Sequence, residues 1–214
     1  MKLLLKTDFI DYYDHHFDIL INKEPHHVFK RMSRAAHRKD AFEYLKSLGE
    51  NVVTHGTVTA LYDRFGPTKD FVVYTDPYAH AGTGKEKMGA KDALSQYPNS
   101  FASVFIPHKF TIRRLQLGHL LTKLQYSSSH PWKSNVGDVS IDTVHSVFEN
   151  MLYNKEFPLL AIDYVGNYTV GWFAIDLNTA PMLKWSPVEN DLTADEVVTE
   201  IRDWMEWKHG FSRN

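Results

Sequence analysis

Cysteine is absent from the 214 residues. That removes disulfides, thiolate metal sites and cysteine nucleophiles, and it leaves redox compartment without a sequence argument. Long apolar runs are missing too: none approaches the roughly 18–20 residues that cross a bilayer. The opening MKLLLKTDF meets charge too soon to be a secretory signal. The expectation is a soluble, cytoplasmic chain with no membrane partner. A dominant charge sign is also lacking. Lys plus Arg number 24 against 26 Asp plus Glu, a formal charge of −2. Nothing therefore pulls the whole molecule towards nucleic acid, although a local basic patch stays open. No internal repeat, low-complexity tract or long linker interrupts the chain. With 43% hydrophobic and 14% aromatic residues, it is expected to build a real core, as one large domain or two small lobes.

The most informative stretch runs from Pro158 to Leu183. Two strands, Leu159–Val165 and Trp172–Asn178, are expected there, joined by a polar turn containing Gly166, Asn167 and Gly171. Each carries one carboxylate in an otherwise apolar run, Asp163 and Asp176. Strand alternation puts Trp172, Ala174, Asp176 and Asn178 on one face and Phe173, Ile175 and Leu177 on the other. If the turn centres between Thr169 and Val170, Asp163 falls opposite Asp176, with Cβ atoms about 4.5–5.5 Å apart. Two like charges that close destabilise the hairpin unless a cation lies between them, and without one at least one carboxyl should titrate above about 3.9. Mg²⁺ suits the position because it takes hard oxygen ligands, often one or two carboxylates plus substrate phosphates. Asn178 could add a third ligand. The alternative is a pair of solvated aspartates on an edge hairpin.

Elsewhere the chain reads as mixed α and β. Lys2–Phe9 is expected as a strand leading into the acidic aromatic segment DFIDYYDHHF. Its Asp14-His15-His16 resembles a phosphoesterase signature, but the further motifs of that family are missing. Among 12 histidines, the pairs His15-His16 and His26-His27 read as surface or structural rather than metal-binding. Ser33–Leu48 is expected as a basic amphipathic helix, with Ala36, Phe42, Leu45 and Leu48 at helical spacing. Arg31, Arg34, Arg38 and Lys39 crowd its first half, as a solvated face or as a phosphate contact. After a strand and helix over Asn51–Tyr62 comes a buried strand, Asp70–Thr75. The loop Asp76–Met88 follows, where Gly82, Thr83 and Gly84 precede Lys85 and Lys87. Glycines let backbone amides approach a phosphate and lysines neutralise it, although the loop is not a Walker A motif. Ala90–Tyr97 reads as a helix and Phe101–Ile106 as a strand. Phe110–Leu117 and His119–Tyr126 form a hairpin about Gly118. Val139–Tyr153 is expected as a helix with Asp142 as N-cap. Thr193 and Glu196 form a capping box opening a last helix, with Val198, Ile201 and Trp204 on its apolar stripe against the Asp-bearing sheet.

This order of pieces resembles the ATP-grasp superfamily, most nearly the ribosomal-protein glutamate ligases and related peptide ligases. The residues that carry the resemblance are Ile112-Arg113, Trp132-Lys133-Ser134-Asn135, Asp163, and Asp176-Leu177-Asn178-Thr179-Ala180-Pro181. It covers roughly Arg31–Leu183. The N-terminus is also similar to that of uncharacterised bacteriophage proteins, which would place the chain in a host cytoplasm. The resemblance implies an α/β, two-lobed architecture of mainly antiparallel sheets with packed helices: residues 1–106 as an N-terminal segment and nucleotide-binding lobe, 107–214 as a catalytic lobe. It implies ATP- and Mg²⁺-dependent joining of a carboxylate to an amine through an acyl phosphate. Asp163, Asp176 and Asn178 would hold Mg²⁺. Arg113 and Lys133 would stabilise the transferring phosphoryl group, and Asn135 would position the acceptor or a phosphate oxygen. Ser103, Val104, Phe105 and Ile106 would meet adenine, and Gly82, Thr83, Gly84, Lys85 and Lys87 the phosphates. The chain departs from the pattern at Tyr74, where the family has lysine, at Lys133, where it has arginine, in lacking the acidic ribose contact, and in having no full domain before the grasp. A grasp-derived protein that binds a nucleotide or phosphorylated ligand without turnover is the alternative, and a structural or host-interaction protein is a third reading.

Overall fold

Runs of β-branched and aromatic residues form the strands of this chain, and amphipathic helices pack against them. The computed structural model describes residues 37–79, 83–134, 136–144, 154–155, 157–178 and 194–209. Its elements are α1 (Arg38–Ser47), β1 (His55–Thr57), α2 (Val58–Phe65), β2 (Asp70–Val73), β3 (Glu86–Gly89), α3 (Ala90–Gln96), β4 (Phe101–Val104), β5 (Thr111–Leu117), β6 (Leu120–Ser128), β7 (Val139–Thr143), β8 (Leu159–Asn167), β9 (Gly171–Asn178) and α4 (Ala194–His209). They form two antiparallel sheets, ordered β1-β4-β2-β3 and β7-β6-β5-β8-β9. The α/β architecture expected from the sequence is the one observed.

One hydrophobic core joins the two sheets. Phe42 and Leu45 from α1, Phe71 and Val73 from β2, and Ile162, Tyr164 and Ala174 from β8 and β9 belong to the same buried cluster. The backbone also ties them: Ala174 N–H donates to the Asn51 carbonyl at 2.8 Å, and Val53 N–H donates to the Ala174 carbonyl at 3.3 Å. α1 packs against β9. It begins where the His37 imidazole accepts the Lys39 N–H at 3.0 Å, which satisfies one of the unpaired donors of the first turn.

Two expectations need correction. Val139–Thr143, expected to open a helix, is the edge strand β7, paired with β6 from Leu124↔Thr143 to Ser128↔Val139. The β-branched residues Val139, Ile141 and Thr143 recur at period two, which suits a strand. Asp142, expected as an N-cap, lies opposite Gln125 and accepts a hydrogen bond from Ser140 Oγ at 3.3 Å. Lys87 and Met88, expected in a loop, belong to β3 opposite Val72 and Phe71. The N-terminal strand, the acidic aromatic segment, the histidine pairs, Thr193 of the capping box and residues 145–153 lie outside the described residues.

α4 docks on the Asp-bearing sheet at β5, as its stripe suggests, with Ile201 and Trp204 buried. The fit depends on Gly118 in the β5–β6 turn. Its φ is +59°, and a Cβ there would stand 2.2 Å from the Glu200 carbonyl oxygen. Left-handed backbone costs an L-residue about 1–2 kcal/mol before any clash. Gly118→Ala is therefore expected to lower the melting temperature by at least roughly 2–4 °C, and an unchanged melt would contradict this docking of α4.

Candidate functional site: a cationic cleft between the sheets

The β8–β9 turn is shaped by Asn167, whose side-chain oxygen accepts the Thr169 and Val170 N–H groups at 2.8 and 3.0 Å. The ladder starts at Asn167↔Gly171, so the turn centres on Thr169, half a residue earlier than expected. Continued unbroken, that register would put Asp163 opposite Ile175. A bulge between Asp163 and Tyr164 makes Ile175 the extra residue and sets Asp163 opposite Asp176. The bulge also breaks the expected alternation, as bulges re-aim side chains. Ala174 turns into the core opposite Tyr164, while Ile175 and Asp176 both line the cleft. The facing pair expected from the sequence is present, although Ala174 does not share its face.

Each carboxylate of this pair meets an arginine. Arg113 of β5 stands directly across from Asp163 of β8. Its Nε and one terminal nitrogen donate to the two carboxylate oxygens at 2.7 and 2.9 Å, and the other terminal nitrogen donates to Tyr126 Oη at 3.2 Å. The guanidinium lies 4.6 Å from the centre of the Tyr126 ring. Burial works against a charge on Arg113, but Asp163 outweighs it and raises its pKa. Asp176 accepts a hydrogen bond from Arg38 of α1 and another from the Leu177 N–H at 2.8 Å. Burial alone would push the Asp176 carboxyl up, but Arg38 and then Lys85 outweigh it and hold it below the usual range. The expectation that a carboxyl titrates high is thus corrected for Asp176. Asp176→Asn removes an ion pair, not a repulsion.

Arg38, read from the sequence as part of a solvated face or as a phosphate contact, is a functional candidate. Its side chain is 12% exposed. It also donates to the Ala79 carbonyl at 3.4 Å and lies 5.6 Å from the centre of the Tyr74 ring. Lys39 beside it is exposed, as expected. Tyr74, where the family pattern has lysine, is buried with its hydroxyl 3.5 Å from Ser103 Oγ. Burial pushes that hydroxyl's pKa up. Lys85, just before β3 and next to Tyr74 by the β2–β3 register, brings a lysine into the same cleft. Burial lowers its pKa, and Asp176 nearby works in the opposite sense. Gly84 makes that approach possible. At φ +60° it turns its carbonyl to the Asp76 N–H at 3.1 Å, and a Cβ there would stand 2.5 Å from Ala79 Cβ.

The other expected residues divide. Ser103, Val104, Phe105 and Ile106 line the cleft, as does Lys133. The Val104 and Phe105 N–H groups are already donated to Thr54 and Asp70, so their side chains are what a flat ring would meet. Thr83 and Gly84 do not line the cleft, and neither does Lys87. Lys87 pairs with Asp70 at 3.0 Å and lies 4.2 Å from the centre of the Phe105 ring, on the sheet face of its cross-strand partner Val72. Asn178, two residues beyond Asp176 on β9, stands outside the lining as well. Gly82 and Asn135 lie outside the described residues. The loop carrying Lys133 is organised by His130, whose Nδ1 accepts the Trp132 and Lys133 N–H groups at 3.3 and 3.1 Å. Sequence reasoning missed His108, Thr111 and Tyr126. His108 donates to the Ile106 carbonyl at 2.7 Å, and burial lowers its pKa.

The donor set suits a small hard cation. Two carboxylates face each other on one wall of the cleft, and among the described residues no group of three or more His, Cys, Asp or Glu could hold a metal alone. Such a site leaves positions for phosphate oxygens and water, the usual arrangement for Mg²⁺. Among the described residues, no helix is long and apolar enough to cross a membrane.

No protein-family model matches the sequence, and a search of curated proteins finds no match. Solved structures do match. The ATP-grasp ligase PsnB, complexed with a phosphomimetic variant of its minimal precursor, Mg and ADP, superposes with a TM-score of 0.56 at 11% identity, over 92% of this chain and 65% of that one. D-alanine–D-alanine ligase from Bacillus anthracis, complexed with ATP, gives 0.52 at 9% identity, over 82% of this chain and 68% of that one. The chain thus spans about two thirds of the length of either ligase. At such identities the likeness speaks for the fold alone: this chain is folded like these ATP-grasp ligases.

Proposed function

We propose that the chain binds ATP in the cleft between its sheets and spends it on joining a carboxylate to an amine. The observation that carries this reading is the cleft's make-up. Among the described residues that line it, the cations Arg38, Lys85, Arg113 and Lys133 stand beside two carboxylates, Asp163 and Asp176, and apolar walls that include Val104, Phe105, Ile106 and Ile175. Surplus positive charge focused in a cleft draws a polyanion, and the apolar walls suit a nucleobase. In this reading the lobes divide as residues 1–106, holding the nucleotide, and 107–214, holding the acid pair.

Each side chain then has a task. Lys85 and Lys133 neutralise the phosphates as point charges. Arg113 uses three of its five N–H donors on Asp163 and Tyr126. It orients Asp163 and keeps one donor on each terminal nitrogen for a phosphoryl oxygen. Such fixed donors act where charge develops and need no reorganisation. Asp163 and Asp176 would hold Mg²⁺, which when bound neutralises phosphate charge. Asn135 would position the acceptor. In the reaction the substrate carboxylate attacks the γ-phosphorus and ADP leaves. The amine then attacks the acyl carbon and inorganic phosphate leaves.

A second reading, a nucleotide or phosphorylated ligand held without turnover, is favoured by Tyr74 at the lysine position. ADP release separates the two. Incubation with ATP, Mg²⁺ and a panel of amino acids and glutamate-ended peptides is expected to release ADP only when a carboxylate and an amine are both present. ATP bound tightly with no ADP released across the panel would support the second reading. Lys85→Ala is expected to weaken ATP binding by about tenfold or more, the scale of one charge-assisted contact, with little loss of stability. Lys87→Ala should change it less, because the Lys87 charge is already paired with Asp70. Equal ATP affinity in Lys85→Ala would remove Lys85 from the site.

A further inference from the structure

Arg38 is held where a bound cation would compete with it. It projects from the stripe of α1 that carries Ala41, Phe42 and Leu45, all buried, so its guanidinium is carried between the sheets. There its ion-pair partner is Asp176. The two aspartates are held unequally. Arg113 grips Asp163 through both oxygens, from the neighbouring strand, and is braced by Tyr126. Arg38 reaches Asp176 through one nitrogen and one oxygen, from a different layer, with only a long bond to the Ala79 carbonyl and the Tyr74 ring beside it. The Arg38 contact is the one that can be exchanged.

We propose that Arg38 is a resident counter-ion that occupies the divalent-cation position at Asp176 and must be displaced before a metal binds there. This rests on the reading of Asp163 and Asp176 as metal-binding residues. The consequence is an order of loading. A bare divalent cation does not dislodge the guanidinium, whereas a cation arriving with a nucleotide brings phosphates that take up the released Arg38. Arg38 is then a positioning residue that makes metal binding conditional on the anionic ligand, without itself coordinating anything.

The test uses Mn²⁺ alone as probe, followed by the loss of its free-ion electron paramagnetic resonance signal, with no nucleotide present. Wild-type protein is expected to take up little Mn²⁺. Arg38→Gln, which keeps a polar side chain but removes the charge, is expected to bind it at least tenfold more tightly and to gain melting temperature when Mg²⁺ is added. The double variant Arg38→Gln/Asp176→Asn is expected to lose both effects. Equal Mn²⁺ uptake by wild type and Arg38→Gln would overturn the proposal, as would a gain that survives in the double variant. If Arg38→Gln fails to fold in chelator, refolding with millimolar Mn²⁺ decides the matter: soluble protein supports the proposal and insoluble protein sinks it. ATP titrated into wild type, with and without Mg²⁺, is read separately. Mg²⁺-dependent ATP binding with no Mn²⁺ gain in Arg38→Gln defeats only this inference, whereas no ATP binding at all defeats the ligase reading.

Discussion

Arg113→Ala is expected to lower folding stability by about 3–5 kcal/mol, because it strands a buried carboxylate. Both partners are largely covered, with side chains 15% and 16% exposed, so solvent screens the loss poorly. In a chain of this size the melting temperature should fall by roughly 6–20 °C. Such a loss alone does not separate a structural pair from a functional one. The double substitution Arg113→Met/Asp163→Leu does. Replacing both members of a buried pair by apolar residues of similar size is often neutral or stabilising, so most of the stability should return. ATP binding should stay lost, because the donors to phosphate and one half of the acid pair are gone. A double variant that regains stability and ATP affinity together would reduce the pair to scaffolding.

Trp204→Ala carries the other large effect. Trp204 is 1% exposed and stacks beside Trp207, their ring centres 6.1 Å apart. Removing a buried aromatic side chain typically costs about 3–5 kcal/mol, since the neighbours close the cavity only in part. Chemical denaturation should show that loss with the slope nearly unchanged, because the same surface unfolds. Trp204 does not line the cleft, so the surviving folded fraction should bind ATP normally. An unchanged midpoint would mean that α4 contributes little to the sheet.

The hairpin was legible because both its strands carry a carboxylate within an apolar run and a turn signal separates them. The pairing of Asp163 with Asp176 came out as expected for a reason the sequence hid: the turn sits half a residue early, and the bulge at Ile175 compensates. A bulge has no reliable residue signature, so alternation was carried one residue too far and Ala174 was put on the wrong face. Between the two readings of Arg38 the sequence could not choose, because its partner is 138 positions away. A local signal did exist. Arg38 stands at i, i+3, i+4 and i+7 with the buried Ala41, Phe42 and Leu45, and an arginine on an apolar stripe calls for a buried carboxylate. Lys87 failed differently. It follows the glycines in sequence and shares a sheet face with Val72, but its ammonium is taken up by Asp70 and the Phe105 ring. In β7, the period-two spacing of Val139, Ile141 and Thr143 competed with the helical spacing of the residues after it, and edge pairing with β6 decided the matter.

Calorimetric titration of ATP into the protein, with and without Mg²⁺, tests the central claim most directly. The account predicts binding at about one nucleotide per chain, markedly tighter with Mg²⁺ and weakened by Lys85→Ala. ATP that binds equally well with and without Mg²⁺, or no heat under either condition, would contradict it.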